Sequence, residues 1–179
     1  LEYEFLTERE LVDWAMRGSP WRLDRDALRA TPSAVEEASI ESRPVFTGDV
    51  EFSLEATVDP GAESTLWWAL RFADSPEKEP LFRAKVTTNL GSGGQTRLAL
   101  EVGDRSTSDV TDSSPGSVFR FGGRVERGTG YVTLGGDDVL VRELPDRIAR
   151  KLYAPEPPQA VRVVIGTGGP DIFIRRLDL

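Results

Sequence analysis

The sequence predicts an all-β fold, an antiparallel β-sandwich with one or two short helices, formed by residues 1–179 as one domain. Three observations predict it. Val50, Phe52, Leu54, Ala56 and Val58 alternate with Glu51, Ser53, Glu55 and Thr57, the period-two pattern of a strand with one buried face. Seventeen glycines and twelve prolines are spread along the chain, as frequent turns require. Candidate strands recur at short spacing with no βαβ alternation and no repeat of solenoid length. A chain of 179 residues is long enough for one sizeable core and short for two.

The elements follow in order. Leu1, Tyr3 and Phe5 alternate with Glu2 and Glu4 and read as a half-buried strand. Thr7 and Glu10 form a T-x-x-E capping box ahead of Leu11, Trp14 and Ala15, which predicts one or two helical turns. Trp21–Leu23 and the stretch 24–28 read as a tight turn into a short strand. Residues 29–39 are small and polar and read as loop, with Ser33 and Glu36 able to cap one turn. Turn chemistry at 59–64 links Val50–Val58 to Leu66–Phe72, which predicts a hairpin of the two. Strands are expected at Leu81–Thr88 and Thr96–Val102, joined by a glycine-rich turn with no P-loop lysine. Residues 103–117 read as a long polar loop or a poorly patterned edge strand. Three short strands separated by glycines follow over 118–144. Ile148 and Leu152, four apart after Pro145, predict a surface helix. Two strands close the chain, and the pair Arg175–Arg176 interrupts the alternation as a β-bulge would.

Composition removes several functions. A net charge of −8 opposes binding to nucleic acid or to an anionic membrane through bulk electrostatics. Basic residues nowhere cluster with aromatics, so no nucleic-acid partner is expected. No apolar run approaches the roughly 18 residues of a membrane span, so no membrane insertion is expected. With no cysteine there are no disulfides and no thiolate zinc sites; with no histidine the usual base of Ser and Cys hydrolases is missing. Remaining chemistry falls to carboxylates, Lys, Arg, Tyr and Ser, and any metal would be a hard cation held by oxygens. The chain begins at Leu1 rather than Met, as a processed chain or a segment of a longer protein would.

Four stretches, taken in order, resemble the concanavalin A-like lectin and glucanase superfamily, including its laminin-G-like and family-16-glucanase-like jelly rolls. They are FLTERELVDWAMRGSPWRLDRDAL, RPVFTGDVEFSLEATVDPG, STLWWALRF and the closing VRVVIGTGGPDIFIRRLDL. The resemblance implies a jelly-roll sandwich whose last strand returns beside the first. It also invites a glycosidase reading of EFSLE, because family-16 glucanases carry E-x-D-x-E on one strand. Here the middle residue is Ser53, and the resemblance places this strand one before the catalytic strand of those enzymes. Glu51 and Glu55 lie roughly 13 Å apart along an extended strand, beyond the roughly 5–9.5 Å of paired glycosidase carboxylates.

A ligand-binding face is the better candidate. In the expected hairpin Glu51 falls opposite Arg71 and Glu55 opposite Trp67, so that Trp67, Arg71, Glu51, Ser53 and Glu55 share the face turned away from the core. A flat ring beside carboxylate, hydroxyl and guanidinium groups suits a sugar, whose apolar face stacks while its hydroxyls meet fixed polar groups. The plain alternative is that Trp67 packs under neighbouring chain and Arg71 only pairs across the strand. Asp137 and Asp138, with Asp104, Asp109 and Asp112, offer turn carboxylates for calcium, and no other cofactor is expected; neither stretch has EF-hand spacing, and acidic turns are usually solvated. The expected function is a non-catalytic binding or accessory domain for a glycan or protein partner, with an extracytoplasmic or secreted location favoured. The alternatives are a glycoside hydrolase-like enzyme on small or modified sugars, or a structural module of a larger protein.

Overall fold

The structure, a computed structural model, describes residues 1–18, 21–30, 37–58, 62–75, 78–90, 94–111, 118–127, 129–135, 140–153, 158–169 and 172–179. The strands in chain order are β1 (Glu2–Tyr3), β2 (Trp14–Arg17), β3 (Trp21–Leu23), β4 (Leu28–Ala30), β5 (Ala38–Ser42), β6 (Val50–Val58), β7 (Ser64–Phe72), β8 (Phe82–Leu90), β9 (Gln95–Val102), β10 (Arg105–Thr111), β11 (Val118–Glu126), β12 (Thr129–Gly135), β13 (Leu140–Glu143), β14 (Val161–Gly168) and β15 (Ile172–Asp178). Among the described residues one α-helix, α1 (Asp146–Tyr153), and one 3-10 helix, Glu8–Asp13, accompany them.

Among the described residues two antiparallel sheets stack face to face. One has eight strands in the order β13-β12-β11-β6-β15-β4-β3, with β1 beside β15; the other has seven, in the order β10-β9-β8-β7-β14-β5-β2. The last strand does return beside the first, with Leu177 opposite Tyr3. Between the sheets lies a core in which Trp68 stacks on Phe52 at 4.8 Å between ring centroids and meets Phe82 edge-on at 5.0 Å. Such pairs add stability beyond area burial. Close approach of β11 to its neighbours needs glycine: a Cβ on Gly123 would stand 2.6 Å from the Trp68 ring.

The hairpin of Val50–Val58 with Leu66–Phe72 is not formed. β6 lies between β11 and β15 in the eight-stranded sheet, and β7 lies between β14 and β8 in the other. The reason is in the apolar faces. Phe52 and Trp68 meet across the core instead of side by side, so the connection after Val58 crosses from one sheet to the other. Period two gives the buried face of each strand but not the partner of that face.

Other expectations shift locally. The first strand stops at Tyr3, because Phe5 adopts a left-handed backbone with φ 53°. That turn points the N–H groups of Glu4, Phe5, Leu6 and Thr7 at the Glu10 carboxylate, which accepts all four at 2.8–3.1 Å. Burial alone would push the Glu10 carboxyl up, but these four donors hold it below its ordinary range. The helix that follows is 3-10 and ends at Asp13, so Trp14 and Ala15 belong to β2. The expected loop 29–39 contributes Arg29 and Ala30 to β4 and Ala38 and Ser39 to β5; its expected cap at Ser33 and Glu36 lies outside the described residues. The edge strand β10 and the helix at Ile148 and Leu152 form, both helix residues being buried. The bulge appears as a register shift between Ile174 and Arg176. No described helix is long and apolar enough to cross a membrane.

Candidate functional site

Because β6 and β7 lie in different sheets, the five residues expected on one face divide between opposite sides of the sandwich. Trp67 and Arg71 stand on the outer face of the seven-stranded sheet. Glu51, Ser53 and Glu55 stand on the outer face of the eight-stranded sheet.

On the seven-stranded sheet the strand register arranges the outward side chains in rows. Ala69, Arg83, Glu101 and Ser106 form one row across β7 to β10. Trp67, Lys85, Ala99 and Ser108 form the next, and Thr65, Thr87, Arg97 and Val110 the one after. A depression of about 270 Å³ opens over these rows, lined by Thr65, Lys85, Thr87, Arg97, Glu101, Ser106 and Ser108 with Glu63 and Leu90 at one end. Thr65 and Thr87 hydroxyls lie 3.3 Å apart.

Trp67 does not open into that depression. Its indole lies over Gly166 of β14, where a Cβ would stand 2.7 Å from the ring nitrogen, and the Arg83 guanidinium covers the other side at 4.4 Å from the ring centroid. With Ala69 and Val164 it forms a small second apolar cluster on the outside of the sheet, and it is 4% exposed. A glycine opposite is required for this packing, and a cation over the ring is favourable. Arg83 also reaches Glu37 at 3.9 Å. Arg71 is likewise committed: it bonds the buried Glu41 at 3.3 Å, and Glu41 meets Arg17 at 3.4 Å. Glu51 does not face Arg71; its cross-strand partner is Arg124.

On the eight-stranded sheet Ser53 and Glu55 do share a depression, of about 360 Å³, with Arg120, Arg176 and Asp178. Arg120 lies 3.7 Å from Glu55, and Arg176 bridges Asp178 at 3.2 Å and Glu2 at 2.6 Å. Asp178 is opposite Ser53 and so diagonal to Glu55, a separation of about 7–8 Å.

Glu41, Glu63 and Glu101 of the other sheet are far apart. Glu41 and Glu101 occupy one row with three strands between them, roughly 19 Å; Glu63 stands three rows from Glu101, roughly 20 Å along the strands. Asp137, Asp138 and Asp112 lie outside the described residues. Asp104 is exposed in the β9–β10 turn, and Asp109 is held by Arg142 at 2.9 Å. Among the described residues no three metal-ligating side chains come together.

The depression residues on β8 to β10 were not singled out from the sequence. The alternation of Arg83, Lys85 and Thr87 with buried residues marks an outward face, but a polar outward face is the default for any strand. Only the register shows that Lys85 and Arg97 are diagonal neighbours among hydroxyls.

Crh5 transglycosylase in complex with NAG superposes with a TM-score of 0.69 at 13% identity, covering 99% of this chain and 82% of that one. The chain has the concanavalin A-like jelly-roll fold. The Emp46p carbohydrate recognition domain in its potassium-bound form shares this jelly roll with a TM-score of 0.64 at 10% identity, covering 98% of this chain and 93% of that one. The CBM2 module of the Lactobacillus casei BL23 phage J-1 evolved Dit gives 0.67 at 6% identity, with 99% and 92% covered. No family model and no curated protein matches the sequence. At these identities the likeness is one of fold.

Proposed function

We propose that this jelly roll is a single, non-catalytic carbohydrate-binding or accessory domain whose ligand lies in the depression over β7 to β10. The observation that carries the reading is the depression itself: an open surface near the lower end of ligand-site size, about 300 Å³, lined by Thr, Ser, Lys, Arg and Glu side chains on four hydrogen-bonded strands. Sugars are recognised by such fixed polar groups, and strands hold them with little entropy to lose on binding. The company of the fold supports the same reading, since its neighbours include a carbohydrate recognition domain and a transglycosylase holding NAG. The two carboxylates lining this depression, Glu63 and Glu101, stand roughly 20 Å apart, which favours binding over hydrolysis. The Trp67 ring serves as floor beneath Arg83 and not as a stacking platform.

The test is a glycan array followed by calorimetry with wild type and Ser108→Tyr. Ser108 is exposed on the edge strand, so the larger ring fills the depression without disturbing the core. Binding in the wild type and its loss in the variant are expected; binding that persists unchanged in the variant, or no binding to any glycan at millimolar concentration, overturns the reading.

One observation favours a second reading, a glycoside hydrolase-like enzyme. Glu55 and Asp178 are diagonal neighbours in the other depression, within the separation that glycosidase pairs use, about 5–9.5 Å. Both already face arginines. This reading requires turnover on a glycoside panel that Glu55→Gln abolishes; absence of turnover in the wild type removes it.

A further inference from the structure

We infer that the ligand of the β7–β10 depression is an acidic glycan, one carrying carboxylate or sulfate groups on its sugar units, and that Lys85 and Arg97 receive the anionic group. The inference rests on the reading of that depression as a glycan site.

The argument starts from charge. The chain has 30 acidic and 22 basic residues, so carboxylates are in excess and available as partners. Several basic side chains on the sheet faces use them: Arg17 and Arg71 meet Glu41, Arg83 meets Glu37, Arg120 meets Glu55 and Arg124 meets Glu126. Lys85 and Arg97 instead share one depression. Among the described residues neither has a carboxylate or hydrogen-bonding partner, although both point into the same depression. Their positions are diagonal on adjacent strands, about 7–8 Å apart, close enough for one carboxylate or sulfate between them.

The surroundings suit an anion attached to a sugar. Thr87 stands beside Lys85 on β8 and opposite Arg97, and Thr65 stands opposite Thr87. On the far side Ser108 faces Ala99 between the two cations. These hydroxyls supply the donors and acceptors that sugar hydroxyls need, while the cations supply charge-assisted bonds. The acidic lining residues sit at the ends. Glu101 is one row out, directly opposite Arg83 and diagonal to Lys85, and Glu63 lies beyond Thr65 and is engaged by its own neighbours. The centre of the depression is therefore cationic on a chain of net charge −8. A neutral sugar would leave Arg97, the cation farther from Glu101, without a counter-charge.

The experiment compares uronate and sulfated oligosaccharides with their carboxyl-reduced or desulfated counterparts, so that linkage stays constant and charge alone changes. Isothermal calorimetry uses the whole chain, with polyglutamate as a polyanion lacking sugar. The acidic member of a pair is expected to bind about tenfold or more tightly than its neutral form. Affinity is expected to fall as salt rises from about 0.05 to about 0.5 M. Lys85→Ala and Arg97→Ala should each lose about tenfold for the acidic form and little for the neutral one, while Arg22→Ala, on the opposite side of the sandwich, leaves binding unchanged. Circular dichroism confirms that each variant is folded. Equal binding of acidic and neutral partners overturns the inference and leaves the glycan reading standing. Polyglutamate binding as tightly as the acidic sugar overturns it as charge without sugar recognition, and acidic-sugar binding indifferent to both substitutions places it elsewhere on the molecule. No binding of any glycan removes the inference and the glycan reading together.

Discussion

The packing of Trp67 on Gly166 makes a sharp double-mutant prediction. Gly166 has no positive φ, so its backbone accepts alanine, but the new Cβ would enter the indole, 2.7 Å from the ring nitrogen and closer to the adjoining ring carbons. The ring has little room to yield, because Arg83 covers it from above and Ala69 and Val164 flank it. Overpacking of this kind costs about 1–3 kcal/mol, and the confined ring puts Gly166→Ala near the upper end, about 2–3 kcal/mol. For a chain of this size that lowers Tm by about 4–12 °C. The same change in a Trp67→Ala background no longer meets the indole. There it restricts the unfolded chain and stabilises by about 0.4–1 kcal/mol. The sign of the Gly166 substitution therefore reverses with residue 67, a coupling of about 3 kcal/mol. Urea unfolding followed by circular dichroism measures it for the four proteins, with a constant m-value confirming that the native and unfolded states stay comparable. If Gly166→Ala costs the same in both backgrounds, the indole does not rest on Gly166 and the account of the outer face is wrong.

Three further predictions test other contacts. Glu10→Gln is expected to destabilise at neutral pH by removing the charged acceptor of four N–H groups. Since the folded carboxyl sits below its unfolded value, its contribution is full above about pH 4.3 and is lost as pH falls through the lower folded value; the gap between variant and wild type in acid titration should close there. Tyr153 carries the opposite sign. Burial first, then its bond to Asp49, raises its hydroxyl, and burial with the Asp13 bond pushes Tyr3 up to about 12. Stability should be intact below about pH 10 and fall above it. Tyr153→Phe should cost about 1 kcal/mol at pH 7 through the lost bonds to Gly48, Asp49 and Val125, and should flatten that alkaline slope. Glu41→Gln removes the charge between Arg17 and Arg71. It should cost about 3 kcal/mol in denaturant unfolding, and a loss below about 1 kcal/mol would show that Arg71 is well solvated without it.

Much of the fold was legible because alternation is a direct record of burial. The nine-residue strand β6, the closing strands β14 and β15, the helix marked by Ile148 and Leu152 and the bulge after Ile174 all follow from residue spacing. The candidate site was not legible, for a physical reason. Period two separates the inside of a strand from its outside and gives no information about which sheet the strand joins. A turn of Asp, Pro and Gly suits a hairpin, and it also suits a crossing between sheets. That ambiguity put Trp67 and Glu55 on one surface in the sequence reading, whereas the core stack of Phe52 on Trp68 puts them on opposite ones. The left-handed turn at Phe5 was hidden because it depends on a carboxylate five residues later collecting the N–H groups.

The division of the two strands also decides what the aromatic side chains are for. A tryptophan pair on one strand must point to opposite sides, and here both rings are buried: Trp68 in the core between the sheets and Trp67 in the outer cluster. The outward ring is spent on covering Gly166 and on seating Arg83, which fixes the wall of the neighbouring row. Next to that row, Lys85 and Arg97 stand without partners among the described residues, on two strands of that sheet each paired on both sides. Strand-held hydroxyls around two cations that lack ion-pair partners among the described residues make this surface, and not the ion-paired face around Glu55, the one with binding capacity still unused. On the opposite face each arginine near Ser53 already has its carboxylate, so a ligand there must break ion pairs before it makes any contact of its own.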